Sequence, residues 1–279
     1  MSGAVLPSAL ARARRLALSG RIGLALMLFW LVVAIIGPFI APYPPGAFVA
    51  MEVFEGFSAR HWLGTDYLGR DVLSRLLSGT RFTVGLAAGA ALLASASGTA
   101  LALTASLGGR WADEILSRLM DTLISIPSKI FALVLIAALG SSIPLLLLIA
   151  AVTYVPGNYR IARALATNLA EMDYVQVARV RGESRRYIAL QEMLPNMLQP
   201  LAADLGLRFV FIVLMLSGLS FLGLGVQPPD ADLGSLVREN VSGVAEGAPA
   251  VLMPALAIAT LTVGVNLLID ALGLSESKR

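Results

Sequence analysis

The residues able to do chemistry are few and widely spaced. The chain has one histidine, His61, and no cysteine among its 279 residues. A disulfide framework, a zinc thiolate site and a thiol nucleophile are excluded, and a multi-histidine metal centre has no ligands to draw on. No G-x-x-x-x-G-K-[ST] pattern occurs, so no loop here can cradle nucleotide phosphates. The scarcity of clustered carboxylates and bases argues against a membrane-embedded hydrolase. What remains are polar groups set in apolar stretches: Lys129, Asp204, Arg208 and Asn266, with Asp121 and Asp270 near boundaries. Ionisable groups there are costly to desolvate and are functional candidates by default. Asp204 and Arg208 stand i,i+4 and suit either a structural pair on one helix face or a pathway lining. Lys129 suits either snorkelling or a pathway, and Asp270 suits interactions at the membrane interface. Asp66, Arg70 and Asp71 form the densest polar group of the external loop from Pro42 to Gly79. They suit an internal ion-pair network or a contact with a partner. His61, beside Trp62, reads as a packing residue rather than a metal ligand.

The elements holding these residues read as membrane spans. Hydrophobic residues make up 57% of the chain and charged residues 14%, against about 25% charged in an ordinary soluble domain. The net charge of +3 is small and gives no sign of nucleic-acid binding. An uncharged run from Ile22 to Ala41 has the ~20 residues that cross a ~30 Å hydrocarbon core. It is too long for the ~7–15 apolar residues of a signal peptide, and it ends in Pro42-Tyr43-Pro44-Pro45. A second run, Phe82 to Leu107, is rich in the small residues that let helices approach closely. The stretch from Ile130 to Tyr159 would make one helix of ~45 Å, so Ser141 to Pro144 is read as a break. The third span then reaches back before Ile130 to include Asp121 and Lys129. The fourth runs from about Ile143 to Ala164, the fifth from about Met197 to Leu219, and the sixth from about Val251 to Leu272. This predicts an all-α bundle of six transmembrane helices. Its parts are a tail 1–21, a first helix 22–42, an external loop 43–80, a core 81–272 containing a loop 170–196, and a tail 273–279.

The basic residues orient the bundle. With the N-terminus cytoplasmic, the inside segments hold Arg12, Arg14, Arg15, Arg21, Arg110, Arg118, Arg160, Arg163, Arg179, Arg181, Arg185, Arg186, Lys278 and Arg279. The outside segments hold Arg60, Arg70, Arg75, Arg81 and Arg238. That excess predicts both termini inside. The longest inside connection, Arg160 to Asn196, reads as two short helices, Ala170 to Val180 and Arg185 to Met193. Gly182 permits a turn between them. By residue pattern alone it is either an amphipathic surface element on lipid headgroups or a docking element for a cytosolic partner.

Gln176-Val177-Ala178, Gly182 and Leu194-Pro195 resemble the EAA loop of ABC importer permeases. Tyr174 to Arg179 followed by Leu194-Pro195-Asn196 is closer still to the dipeptide/oligopeptide/nickel family. The segment HWLGTDYLGRDVLSR, His61 to Arg75, resembles the stretch before the second span in the C-type permease of that family. Arg118-Leu119-Met120-Asp121 with Ile126-Pro127 resembles the start of its third span. LSFLGLGVQPP, Leu219 to Pro229, resembles the stretch after its fifth. The likeness covers about residues 20–272, with the motifs in order. Gln176 and Val177 replace the Glu and first Ala of the general pattern, and Glu192 stands where a histidine is common.

The resemblance implies a type I ABC importer permease-like bundle with both termini inside. It implies an inner-membrane permease subunit of a binding-protein-dependent importer, for di/oligopeptides or a related small solute. It also implies a non-catalytic chain with no cofactor of its own, since ATP and Mg would sit on separate ATPase subunits. The implied partners are a second, B-type permease, two ABC ATPase subunits, a periplasmic or extracellular substrate-binding protein and membrane lipid, with no nucleic acid. Asp173, Tyr174, Gln176, Val177, Ala178, Arg179, Gly182, Arg185, Leu194 and Pro195 would couple the chain to the ATPases. The alternative is a secondary transporter or channel independent of ATPases. That would need its own coupling-ion site and internal inverted repeats, and no period of 20–50 residues repeats along the chain.

Overall fold

A computed structural model describes residues 18–274, with side chains through residue 272. Arg12, Arg14, Arg15, Lys278 and Arg279, and with them most of the two expected tails, lie outside the described residues. The helices are α1 Leu18–Ile40, α2 Val72–Gly108, α3 Arg110–Ile124, α4 Ser128–Leu139, α5 Ile143–Ala170, α6 Asp173–Val180, α7 Leu194–Phe221, α8 Leu233–Glu239 and α9 Pro249–Leu274. A helical turn, Arg185–Tyr187, and a π-helical segment, Ile188–Met193, lead directly into α7. Extended pairing among the described residues amounts to two isolated bridges, Phe48 with Arg70 and Thr65 with Asp71. Five helices are long and apolar enough to cross a membrane, and α3 with α4 forms a sixth candidate bent by 86°.

Small residues set how closely the spans approach. α2 packs along α5, where a Cβ on Gly98 would sit 2.5 Å from Asn158 Oδ1. α1 packs on α9, where a Cβ on Gly23 would sit 2.6 Å from the carbonyl oxygen of Gly264. One apolar core joins α1, α2, α4, α5, α7, α8 and α9. A second gathers Ala102, Leu103, Met120, Tyr159, Ala162 and Ala166 with residues of α6 and its sequel.

Two spans differ from the sequence expectation. The second begins at Val72, not near Phe82, so residues 72–80 belong to a helix rather than to the external loop. Asp71 explains the early start: its carboxylate accepts from the Ser74 backbone N–H at 2.8 Å and from the Ser74 hydroxyl at 2.7 Å. Val72, Ser74 to Leu77, Gly79 and Thr80 are then buried. At 37 residues, α2 is ~55 Å long and projects well beyond a ~30 Å hydrocarbon core.

The third span is not one continuous helix through Asp121 and Lys129. It breaks at Ser125 to Pro127, where Pro127 has no N–H to continue the ladder and stands extended at the N-cap of α4. α4 has 12 residues, ~18 Å of rise. α3 is amphipathic and turns across the end of α5. Its Asp113 pairs with Arg163 at 2.5 Å and its Asp121 with Arg160 at 2.8 Å. Residues 143–159 of α5 carry no charge, so Arg160 and Arg163 mark where that helix leaves the apolar layer. Trp111, Ile115 and Leu119 lie on the exposed stripe of α3.

Candidate functional site

The loop between α5 and α7 is a folded unit. Val175 and Ala178 of α6 are buried against Ile188, Met193 and Met197, and against Ala162 and Ala166 of α5. α6 ends in a Schellman motif. The Gly182 N–H donates to the Arg179 carbonyl at 3.0 Å, and the Glu183 N–H donates to the Ala178 carbonyl at 3.1 Å. This requires a left-handed residue after the helix, and Gly182 has φ +77°. Ser184 then caps the following turn by accepting from the Tyr187 N–H at 3.2 Å. Leu194 and Pro195 open α7, where a missing N–H is tolerated. Gln176 Nε2 donates to the Ala170 carbonyl at 2.9 Å, and Asn196 Nδ2 donates to the Tyr174 hydroxyl at 3.3 Å.

The outward face of this unit differs from the inward one. Asp173, Tyr174, Gln176, Val177, Arg179, Val180, Arg181, Arg185 and Arg186 are exposed. Arg181 pairs with Glu183 at 3.1 Å. Among the described residues, Arg179, Arg185 and Arg186 make no ion pair. Ala178, at 2% exposure, faces the chain's own interior, so its contribution is packing rather than direct contact. Val180, at 89% exposure, is the apolar residue most open to a partner, and the motif comparison passed over it because it is an ordinary helix residue by pattern.

At the opposite end of the bundle the charges close on one another. Asp66 Oδ2 accepts from Arg70 Nε at 2.7 Å and from Arg75 Nη1 at 2.9 Å. Its Oδ1 accepts from the backbone N–H groups of Leu68 and Arg70, both at 2.9 Å. Glu239 Oε2 on α8 accepts from Arg70 Nη2 at 2.8 Å and Arg75 Nη1 at 2.7 Å. Two cations and two carboxylates thus form a neutral, buried square. Burial works against the Arg70 charge, yet Asp66 and Glu239 more than offset it, so its pKa lies above the ordinary value. Asp71 joins through the cap of α2, with His61 Nδ1 at 3.4 Å from its Oδ1. Nearby, Asp232 caps α8, accepting from the Ser235 N–H at 2.8 Å and from the Ser220 hydroxyl. Burial pushes the Asp232 carboxyl up, partly offset by these hydrogen bonds.

Between the two ends, Asp204 links three spans. It accepts from Arg208 Nη2 at 2.9 Å and from Asn158 Nδ2 at 2.7 Å, and Thr99 on α2 reaches Asn158 Oδ1 at 3.3 Å. Lys129, Asn266 and Asp270 stay outside this cluster and are exposed. Glu239, Asn240 and Asn158 escaped sequence reasoning. Glu239 is 164 positions from Arg75, and a lone polar residue in an apolar run carries no periodic signal. The described residues contain no group of three His, Asp or Glu able to hold a metal ion.

Residues 96–275 match the family described as binding-protein-dependent transport system inner membrane component. A putative peptide transport system permease protein of Brucella suis is 34% identical over 254 residues, 91% of this chain and 86% of the relative. A dipeptide transport system permease protein of Haemophilus influenzae is 33% identical over 257 residues, 90% of this chain and 87% of the relative. A probable D,D-dipeptide transport system permease protein of Escherichia coli K12 is 34% identical over 248 residues, 88% and 83% of the two chains.

Proposed function

The chain belongs to the binding-protein-dependent transport inner-membrane components, and from that premise we propose that it passes di- or oligopeptides across a bacterial inner membrane on energy supplied by separate ATPase chains. As a member of this family it is a multi-pass permease subunit of an ABC importer. In the proposed assembly a second, B-type permease completes the pathway. Two ATPases hold ATP and Mg, and an external binding protein delivers the cargo. Both termini lie in the cytoplasm, so residues 171–193 meet the ATPases.

The observation that carries the docking assignment is the two-sided build of α6. Its inward residues, Val175 and Ala178, fix it to α5 and α7, while Tyr174, Val177, Val180 and the free arginines point outward. A surface element resting on lipid would need no such rigid seat. Asp173, Tyr174, Gln176, Val177, Arg179, Gly182 and Arg185, with Val180, form the proposed contact, and Leu194 and Pro195 transmit it into α7. Closure of the ATPases around ATP draws the loops of the two permeases together. The spans rock from inward-open to outward-open, the binding protein releases its cargo, and hydrolysis resets the assembly.

Gly182→Asp tests this. Open space surrounds the Gly182 Cβ position, so the left-handed strain costs only about 1–2 kcal/mol. The variant is expected to insert and accumulate as the native chain does, to lose co-purification with the ATPases, and to lose ATP-dependent dipeptide uptake. Native uptake by this variant removes the docking role.

A further inference from the structure

The short span α4 starts in the middle of the apolar layer. Ser128 stands eleven residues from the other end of α4 at Leu139, ~16 Å along its axis, and beside it in the bundle Tyr154 of α5 donates to the Phe211 carbonyl of α7 at 3.2 Å and stacks on the Phe211 ring. Tyr154 stands eleven residues into α5 from Ile143, ~16 Å along its axis. Phe211 stands ten residues from the same end of α7 at Phe221, ~15 Å. Both place this level near the centre of a ~30 Å core. Lys129 is the next residue after Ser128, so its backbone is held at mid-membrane depth. The side chain is exposed and has no ion-pair partner among the described residues. The cation within α7, Arg208, is already neutralised by Asp204. The Asp121–Arg160 pair lies further toward the basic end and is closed on itself. A four-carbon stem cannot carry an ammonium from this depth to the headgroups, and lipid would not solvate it there.

We infer that Lys129 faces a water-filled solute path opened by the break between α3 and α4, and that its ammonium receives the carboxylate of the passing cargo. The break supplies the opening. With α3 turned 86° aside, the half of the layer below α4 has no third-span helix to fill it. Lys129, with no ion-pair partner among the described residues, then stands at the apex of that opening, with Arg208 and its carboxylate forming a neutral wall. The identity of the cargo rests on the peptide-import reading. The position of Lys129 on an aqueous path does not.

The chain has no cysteine, so single cysteines report without background. In the assembled importer, Lys129→Cys and Ile126→Cys are expected to react with membrane-impermeant methanethiosulfonates. Phe29→Cys, exposed in the middle of α1, should stay inert as the lipid control. At Ile126→Cys, the rate ratio of an anionic to a cationic reagent should fall roughly tenfold on adding Lys129→Gln, and Lys129→Arg should restore it. Labelled dialanine uptake should slow in Lys129→Gln and recover in Lys129→Arg. Cysteines at 126 and 129 as inert as the one at 29, or an unchanged reagent ratio, overturns the inference. If the native assembly takes up no dialanine while the labelling pattern holds, the peptide reading fails and the aqueous position of Lys129 stands.

Discussion

The two ends of this bundle spend their charge in opposite ways. At one end, Asp66, Arg70, Arg75 and Glu239 are buried and satisfied by one another. At the other, Arg179, Arg185 and Arg186 stand exposed on a unit whose inward apolar residues, Val175, Ala178, Ile188 and Met193, are buried. Both regions are folded, so disorder does not separate them. The difference lies in where each ends its electrostatics. The first closes inside the chain and fixes a shape. The second leaves its charge exposed, and the shape beneath it holds that charge in place.

Three substitutions sharpen the contrast, from the largest expected effect on stability to the smallest. Arg75→Met leaves Asp66 and Glu239 buried with one cation between them, and removing one partner of such a group costs about 3–5 kcal/mol. Thermal unfolding in detergent should show a large downward shift, with transport lost only because little folded protein remains. Asp232→Asn should change stability by only about 1 kcal/mol, since a side-chain oxygen can still cap α8. It should also flatten a pH dependence. Burial raises the Asp232 pKa, so the folded state holds that proton more tightly than the unfolded chain does. The native chain therefore loses stability as pH rises from the ordinary carboxylate range through the raised value. Asparagine does not titrate, so a variant with the same slope as the native chain sinks this account. Val180→Glu should move stability by no more than about 0.5 kcal/mol, as an exposed change, yet abolish ATP-dependent uptake. A Val180→Glu chain that transports normally would leave the two ends alike in function, and the comparison would fail.

Much of this architecture could be read from residue patterns, for stated reasons. Apolar runs of about 20 residues, interrupted in α7 by Asp204 and Arg208, declare α1, most of α2, α5, α7 and α9, because the bilayer demands their length. Gly182 was visible because a turn needs its φ. The break at Ser125 to Pro127 was hidden. Proline is tolerated at the start of a helix as well as at a kink, so Pro127 did not distinguish an unbroken third span from the two-helix corner. The start of α2 was missed because Arg70, Asp71, Ser74 and Arg75 look like an exposed loop. Pairing of the two arginines with Asp66 and the distant Glu239, and of Asp71 with Ser74 in the helix cap, is what lets these groups be buried. Ala178 suited close packing against either a partner or the second short helix, and it is buried with Ile188 and Met193; position on a short helix does not say which face another segment covers.

α2 joins both ends in a single rod. Arg75 near its start is pinned by the carboxylate square, and Ala102, Leu103 and Ala105 near its finish pack in the same core as Val175 and Ala178. About 42 Å of helix lies between Arg75 and Leu103. With the near end pinned, a rotation of one or two degrees swings the far end by roughly 1 Å. In the proposed transport cycle the ion square is then the fulcrum of a lever, and stiffness at one face of the membrane sets the angular gain with which a push on the other is felt.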